Sequence, residues 1–249
     1  MLRLNHVTFA ADDPARLATF WSKLLGYEMK RSGEDCVARG QGPELFFKRM
    51  PKSPTIELPI HVDVNVPDRE AEVQRALGLG ARLVATKTSE VGELKETYTV
   101  MRDPEGIGFC VQGPDPRRPR PYVGNVTFSS AAPRRLGAFW SEALGWPEQV
   151  PPEDFLQMLW DAGLDRAESE AYYATMNPDG TRPRFLFQRR EKSRPESYPV
   201  HLDFRTDDRE SEIARLTRAG ATVTETNTAG GGRVFTVMRD PEGNPFCVE

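Results

Sequence analysis

The sequence repeats itself, and this repetition constrains the fold more than any other feature. Four stretches of the first half recur in the same order in the second half. They are PARLATFWSKLLGY at 14–27 and PRRLGAFWSEALGW at 133–146, LFFKRMPKS at 45–53 and FLFQRREKS at 185–193, DREAEVQRALGLGA at 68–81 and DRESEIARLTRAGA at 208–221, and VMRDPEGIGFCVQ at 100–112 and VMRDPEGNPFCVE at 237–249. The two halves are therefore predicted to share one fold. The last pair ends differently, because Gln112 stands where the second copy has Glu249.

Each half also divides into two similar units, which gives four modules beginning near residues 2, 58, 122 and 198. A module opens with a short alternating strand such as HVTFA, continues with a helix and ends with two or three short strands. For the first helix, Asp12 or Asp13 is the expected cap, Pro14 belongs to the first turn and Gly26 ends it. Its apolar face is expected to carry Leu17, Phe20, Trp21 and Leu24. The pattern predicts an α+β protein of four βαβββ modules.

Three connecting segments have their own signals. The DPEG stretches at 103–106 and 240–243 fit a type I turn between strands. The segment GPDPRRPRP at 113–121 is predicted to be a stiff linker between a first domain at 1–112 and a second at 122–249. An insertion near 150–184 has no counterpart in the first half and includes an amphipathic helix pattern. It is either a lid over a cavity or a surface excursion.

Composition excludes several classes of protein. The chain has 249 residues, 38% of them hydrophobic, and a net charge of -4, so it can fill two modest cores and has no excess of cations for nucleic acid. Its three cysteines suggest reduced thiols rather than a disulfide framework. The first residues lack the apolar core of a signal peptide, and no apolar run reaches membrane-spanning length. A cytoplasmic protein without a nucleic-acid or membrane partner is expected, as a monomer or homodimer.

The four modules, the strand-opening histidine, the FW helix ending in LG and the closing DPEGxxFCVE together resemble the vicinal oxygen chelate superfamily. That superfamily includes glyoxalases, extradiol dioxygenases and bleomycin-resistance proteins, and this chain looks most like its tandem glyoxalase-like members. The resemblance implies that modules pair into two curved mixed sheets with helices on the outside. It also implies that metal ligands come from the first and last strands of the modules.

The three histidines of the chain, His6, His61 and His201, occupy corresponding places in the opening strands, where the third module has Asn125. A single such histidine is usually structural, but three at one repeat position are harder to dismiss. Since side chains two apart share a face of a strand, Thr8, Asp63, Thr127 and Asp203 are expected beside these four residues. On the same reasoning, Cys110 with Gln112 and Cys247 with Glu249 face the cavities.

Module pairing decides which of these residues meet. If neighbouring modules pair, His6 and His61 join Gln112, and both sites are incomplete. If module one pairs with module four and module two with module three, one cavity holds His6, His201 and Glu249. The other then holds His61, Gln112 and Asn125 as a degenerate second site. The second arrangement sorts the substitutions into one whole site and one incomplete site.

Two imidazoles and one carboxylate are a ligand set associated with Fe(II), and Mn, Zn or Ni could also occupy it. His6, His201 and Glu249 are the predicted metal ligands, with Asp63 and Asp203 either orienting the imidazoles or making simple polar pairs across strands. Glu249 is alternatively a solvated terminal acid. The stretch LFFKR offers no carboxylate where glyoxalase I would supply another glutamate, so true glyoxalase I activity is not expected.

Two functions follow. The first is a divalent-metal lyase, isomerase or dioxygenase acting on a small molecule with vicinal oxygens, whose catalytic base is not identified. The alternative is a metal-free small-molecule or antibiotic binding protein of the bleomycin-resistance type, in which the second cavity has lost ligands that are not needed. Its cavity could be lined by aromatic residues that would equally suit a core: Phe46, Phe47, Phe185, Phe187, Trp160, Tyr172 and Tyr173. A third possibility is that the degenerate cavity is purely structural and that only the cavity with His6 and His201 is functional.

Overall fold

The structure is a computed structural model of the chain, and it describes residues 1–50, 59–91, 94–116, 118–149, 153–161, 163, 174–175, 183–189, 198–228 and 232–249. These residues form sixteen strands and five helices. The helices are α1 (Pro14–Leu25), α2 (Arg69–Gly78), α3 (Pro133–Leu144), α4 (Glu153–Asp161) and α5 (Arg209–Arg218). The strands form two mixed eight-stranded sheets, so the predicted α+β class is confirmed.

The first sheet combines strands from the two ends of the chain. Its strands are β1 (Arg3–Ala11), β2 (Glu28–Ser32), β3 (Asp35–Arg39), β4 (Glu44–Arg49), β13 (Val200–Arg205), β14 (Thr222–Thr228), β15 (Val234–Arg239) and β16 (Pro245–Val248). Their order is β14-β15-β16-β13-β1-β4-β3-β2. The antiparallel contact of β1 with β13 joins the two modules at the centre of this sheet.

The second sheet comes from the middle of the chain. Its strands are β5 (Ile60–Asn65), β6 (Arg82–Val91), β7 (Leu94–Arg102), β8 (Gly108–Gln112), β9 (Tyr122–Ser130), β10 (Glu148–Gln149), β11 (Ala174–Thr175) and β12 (Arg184–Arg189). Their order is β10-β11-β12-β9-β5-β8-β7-β6. Module two thus lies beside module three, and module one lies beside module four.

Helix α1 begins and ends where the sequence predicts. The side chain of Asp13 accepts a hydrogen bond from the backbone N–H of Arg16, and Gly26 ends the helix with a φ of 70°. Helix α3 has the same length, but its N-cap residue is Ala132, whose side chain cannot accept a hydrogen bond. Glu242, from the turn before β16, accepts hydrogen bonds from the backbone N–H groups of Ala131 and Ala132 instead.

A single hydrophobic core joins the two sheets through these helices. Trp21 of α1 packs against Phe9 of the first sheet and Phe109 of the second, with ring centroids 5.3 and 5.1 Å away. Trp140 of α3 makes the corresponding pair of contacts. The helices therefore cover the face of each sheet that lies opposite His6 and its counterparts, and they also contact the other sheet.

The DPEG turns are confirmed, and they anchor the helices. The backbone N–H of Gly106 donates to the carbonyl of Asp103, as a type I turn requires. The indole of Trp21 donates to the Asp103 carboxylate at 3.2 Å, and Trp140 donates to Asp240 at 3.3 Å. Each turn thus holds a helix from a different module, which the sequence alone did not reveal.

The insertion near 150–184 is described only in part. Helix α4 confirms the amphipathic pattern at 153–161, with Leu156 buried, whereas Tyr172 and Tyr173 lie outside the described residues. Its role as a lid or a surface excursion stays a prediction. In the linker, Asp115 is buried and accepts a hydrogen bond from the Tyr122 hydroxyl at 2.6 Å. Among the described residues, no helix is both long and apolar enough to cross a membrane.

Candidate functional site

Two clusters of polar side chains lie on the helix-free faces of the sheets, one at the centre of each sheet. They are there because Val7, Phe9, Leu202 and Phe204 point into the core, so the residues that alternate with them point the other way. The first cluster consists of His6, Thr8, Glu44, His201, Asp203 and Cys247. The second cluster consists of His61, Asp63, Cys110, Asn125, Thr127 and Arg184. The repeat relates the two clusters residue by residue.

In the first cluster, both histidines contact carboxylates. The Nε2 atom of His6 lies 3.3 Å from Glu44, and that of His201 lies 3.5 Å from Asp203. Thr8 donates a hydrogen bond of 2.6 Å to the second oxygen of Asp203, which fixes this carboxylate. Possible metal-ligating atoms of His201, Asp203 and Cys247 all lie within 4.8 Å of one another.

Burial in this cluster favours neutral imidazoles. Burial lowers the pKa of His6 and outweighs the opposing effects of Asp203, Glu44 and Glu249. Burial also lowers the pKa of His201, with Asp203 opposing the shift. A neutral imidazole is the form that binds a metal ion, so the two histidines suit that role without a proton having to leave at neutral pH. Burial likewise raises the pKa of the Cys247 thiol.

The second cluster has a similar centre. The Nε2 atom of His61 lies 3.3 Å from Asp63, and possible ligand atoms of His61, Asp63 and Cys110 lie within 4.8 Å of one another. Asn125 and Thr127 donate hydrogen bonds of 2.8 and 2.7 Å to the second oxygen of Asp63. The contact of His61 with Asp63 is an ion pair rather than a well-aligned hydrogen bond, because the nearer Asp63 oxygen has no hydrogen-bond partner among the described residues.

The charge state of the second cluster differs from that of the first. Burial would lower the pKa of His61, but the interactions with Cys110 and Asp63 outweigh burial and raise it to about 10. Burial would raise the pKa of Asp63, but its hydrogen bonds and the charge of His61 lower it overall. The interactions of the second cluster therefore favour protonation of its imidazole, whereas burial favours the neutral form in the first cluster. The Nδ1 atom of His61 is buried and has no partner among the described residues.

The predicted ligands are only partly brought together. His6 and His201 belong to the same cluster, and Glu249 is close enough for its charge to act on His6. The Glu249 carboxylate, however, lies 3.8 Å from Arg205 and 3.5 Å from Arg233. Its side chain is only 12% exposed and its backbone N–H donates to Phe204, so it is not a solvated terminal acid. The set of His6, His201 and Glu249 stays a prediction.

The predicted degenerate set is separated in a similar way. Asn125 lies with His61 through their shared neighbour Asp63. Gln112 pairs in register with Asn65, four residues along β5 from His61. It lines a surface cavity of about 450 Å³ with Asn65 and Glu96. Asp63 contacts the imidazole of His61 and Asp203 contacts that of His201, which fits either the orienting role or the simple polar pairing, and the orienting role stays a prediction.

Two site residues were missed by the sequence reasoning. Glu44 immediately precedes the stretch LFFKR, and Arg184 immediately precedes its copy FLFQR. The sequence repeat could have revealed both residues. If the alignment of the two stretches is extended by one residue, Glu44 and Arg184 occupy equivalent positions. Parallel pairing then sets Glu44 beside His6 and Arg184 beside Asn125.

The aromatic residues divide between core and cluster. Phe47, Phe185 and Phe187 are fully buried on the helix side of the sheets, so they belong to the core. Phe46 points the other way, and its ring centroid lies 5.4 Å from that of His6. Trp160 of α4 is half-buried.

Comparisons with known proteins agree with this architecture. The model of the glyoxalase-like domain family matches residues 6–112 and again residues 125–249. Glyoxalase I from Zea mays superposes with a TM-score of 0.67 at 14% identity, over 100% of this chain and 92% of that chain. A candidate dioxygenase from Bacillus subtilis superposes with a TM-score of 0.62 at 12% identity, over 98% of this chain and 84% of that chain. No curated protein matches the sequence.

At these identities the structural likeness establishes a shared fold and leaves the chemistry open. The family model, in contrast, covers most of the chain and matches each half separately. The chain therefore belongs to the glyoxalase-like domain family, as a tandem member of the vicinal oxygen chelate superfamily.

Proposed function

We propose that the first cluster binds one divalent metal ion through His6, His201 and Glu44, and that the protein acts there on a small molecule with vicinal oxygens. The observation that carries this proposal is the contact of His6 with Glu44 at 3.3 Å, with a second imidazole, that of His201, on the neighbouring strand β13. Two imidazoles and a carboxylate leave coordination positions open for a substrate. The sequence predicted Glu249 as the carboxylate ligand, and that alternative is tested below.

The surroundings of His6 support a role as ligand. The amide nitrogen of Asn5 lies 2.9 Å from Nδ1 of His6, so Nε2 is the nitrogen that faces Glu44. An amide side chain offers both a donor and an acceptor, so Asn5 can satisfy either protonation state of Nδ1. Rotation of that amide would let Nε2 give up its proton without leaving Nδ1 unpaired. The ring can thus present a lone pair where Glu44 presents an oxygen.

The surroundings of His201 support an orienting role for Asp203. Thr8 holds one oxygen of Asp203, and the other oxygen lies 3.5 Å from Nε2 of His201. A carboxylate in this position fixes the direction of an imidazole and raises its basicity. The Arg39 guanidinium lies 2.8 Å from one oxygen of Glu44, closer than either arginine lies to Glu249, so Glu44 would bind a metal ion through its other oxygen, the one that faces His6.

A bound divalent ion would supply Lewis-acid chemistry, polarising a carbonyl or an enediol, or holding a catechol-like substrate with oxygen if the ion is Fe(II). The chain's contribution is the arrangement around that ion. Phe46 provides an apolar wall beside His6, and Lys48, on the same face of β4, acts electrostatically on His201. A cation there suits a substrate that carries oxyanion character.

Metal analysis tests the proposal directly. Protein purified without chelator, or reconstituted with Fe(II), Mn(II), Ni(II) or Zn(II), is expected to retain about one ion per chain. His6→Ala, His201→Ala and Glu44→Gln should each weaken metal binding by roughly tenfold or more. His61→Ala, at the equivalent position of the second cluster, is the matched control and should leave the metal content unchanged.

Two outcomes would contradict the proposal in different ways. If Glu249→Gln removes the ion and Glu44→Gln does not, the ligand set predicted from the sequence is correct and the assignment of Glu44 is wrong. If none of the four ions is retained, and His201→Ala leaves the binding of small molecules unchanged, a metal-free binding protein of the bleomycin-resistance type accounts for the protein instead.

A further inference from the structure

The two clusters differ at one pair of positions that lie side by side on neighbouring strands. In the parallel pair of β1 and β4, His6 lies opposite Glu44. In the equivalent pair of β9 and β12, Asn125 lies opposite Arg184. The histidine, aspartate, cysteine and threonine of the two clusters are otherwise the same. An imidazole and a carboxylate have thus been replaced together by an amide and a guanidinium.

Arg184 is held in a defined position on the face of the second sheet. Its Nε–H donates to the Asn125 side-chain oxygen at 2.6 Å, and one terminal nitrogen donates to Gln149 at 3.2 Å. Asn125 in turn donates to Asp63 at 2.8 Å, so the guanidinium is tied to the cluster through a chain of hydrogen bonds. A guanidinium fixed through Nε keeps terminal N–H groups in the fork that matches a carboxylate.

Other donors of the second cluster suit the same type of ligand. His61 is only 5% exposed, and its Nδ1 atom has no hydrogen-bond partner among the described residues. A buried polar atom without a partner is costly, and an oxygen of a ligand or a water can satisfy it. Asn125 and Thr127 donate to one oxygen of Asp63 and the imidazole of His61 faces the other, so this carboxylate is held by the cluster's own side chains.

We propose that the second cluster is a metal-independent binding site for the carboxylate group of a small organic acid, with Arg184 as the residue that recognises it. The exchange removes two ligands that a metal ion would need and introduces the side chain best suited to an anionic oxygen pair. The site is distinct from the metal site proposed above and does not depend on it. Glu96, at the exposed rim, acts on Arg184 electrostatically and would compete with the bound acid.

Calorimetric titration of the full chain, freed of metal ions by passage over a chelating resin, tests this proposal, with acetate, pyruvate, oxalate and succinate as probes. At least one of them is expected to bind at about one molecule per chain, and Arg184→Gln should weaken that binding by tenfold or more. Glu96→Gln should tighten it. Lys48→Gln removes the cation at the matched position of the first sheet, where the second sheet has Gln188, and so tests the first cluster as the alternative site for the carboxylate.

A second variant distinguishes loss of the binding site from loss of the folded structure. Asn125→His combined with Arg184→Glu recreates the residues of the first cluster, so it should lose carboxylate binding and gain a second divalent ion. Circular dichroism of each variant checks that it is folded. The proposal is overturned if no probe binds at millimolar concentration, if Arg184→Gln binds as well as the unchanged protein, or if Lys48→Gln abolishes binding instead. None of these results bears on the metal content of the first cluster.

Discussion

Asp240 is a buried carboxylate whose ionisation should control how the stability of the protein depends on pH. Its side chain lies in the turn before β16 and is only 3% exposed. One oxygen accepts the backbone N–H groups of Glu242 and Asn244, each at 2.9 Å. The other accepts the side-chain amide of Asn244 at 2.8 Å and the indole of Trp140 at 3.3 Å.

The size of the effect follows from the pKa of this carboxyl. Burial raises the pKa of Asp240 from 3.8 to about 6, and the hydrogen bonds it accepts offset only part of that shift. Each pH unit of difference corresponds to about 1.4 kcal/mol, so ionisation in the folded state costs up to ~3 kcal/mol. Because the folded pKa exceeds the unfolded one, this penalty is absent below pH 3.8 and is complete once the pH has risen above 6.

Asp240→Asn removes the ionisation and keeps one oxygen as an acceptor. The indole of Trp140 and the amide of Asn244 then face an NH₂ group, and each unsatisfied donor costs about 1–3 kcal/mol. The variant should therefore be less stable than the unchanged protein at pH 4. As the pH rises to 7, the difference in the free energy of unfolding should shrink by up to ~3 kcal/mol, because only the unchanged protein bears the ionisation penalty.

Urea denaturation followed by tryptophan fluorescence, repeated between pH 4 and pH 7, measures this difference. The informative quantity is the change of the difference with pH, since the lost hydrogen bonds contribute equally at every pH. If the stability curves of the two proteins run parallel over this range, Asp240 titrates normally. The argument that burial dominates its hydrogen bonds would then be wrong.

Three further substitutions test how α3 and the linker are held. Glu242→Ala removes the acceptor for two N–H groups at the start of α3 and should lower the free energy of unfolding by about 0.5–2 kcal/mol in thermal melts, as the loss of a helix cap does. Arg215→Ala removes donors to two carbonyls at the end of α3 and should cost about 1–3 kcal/mol by urea denaturation, with Arg75→Ala at the end of α1 expected to match it. Gly113→Ala would place a Cβ 2.5 Å from the carbonyl oxygen of Val66 and should cost about 1–3 kcal/mol, whereas Gly78→Ala meets no atom within 4 Å and should not destabilise the protein.

Local elements of this fold could be predicted because their signals are local. The cap at Asp13, the apolar face around Trp21 and the stop at Gly26 specify α1 within one short stretch, and the turn at 103–106 is specified by four residues. The strand faces also followed from alternation alone. These predictions needed no knowledge of which strands become neighbours.

The long-range contacts could not be derived in the same way. Trp21 and Asp103 are 82 residues apart, and nothing in either stretch specifies the other as its partner. The predicted metal ligand set depends on the same kind of long-range contact, because alternation gives the face on which a carboxylate lies but not its height along the strand, and the set stays a prediction. Glu249 follows Val248, the last residue of β16, which pairs with Thr236, and the Glu249 carboxylate contacts Arg205 and Arg233.

Joining two copies of a module pair in one chain has a consequence for the two clusters. In a symmetric dimer of identical subunits, any substitution in one site appears in the other, so the two sites cannot acquire different chemistry. In this chain each position of the repeat is encoded twice, so a substitution can change one site without changing the other. The exchange of His6 and Glu44 for Asn125 and Arg184 is coordinated, since the new pair makes its own hydrogen bond of 2.6 Å. A site that was only decaying would not be expected to lose a ligand and simultaneously gain a fixed guanidinium, and this is why the second cluster is better explained by a different ligand than by loss of function.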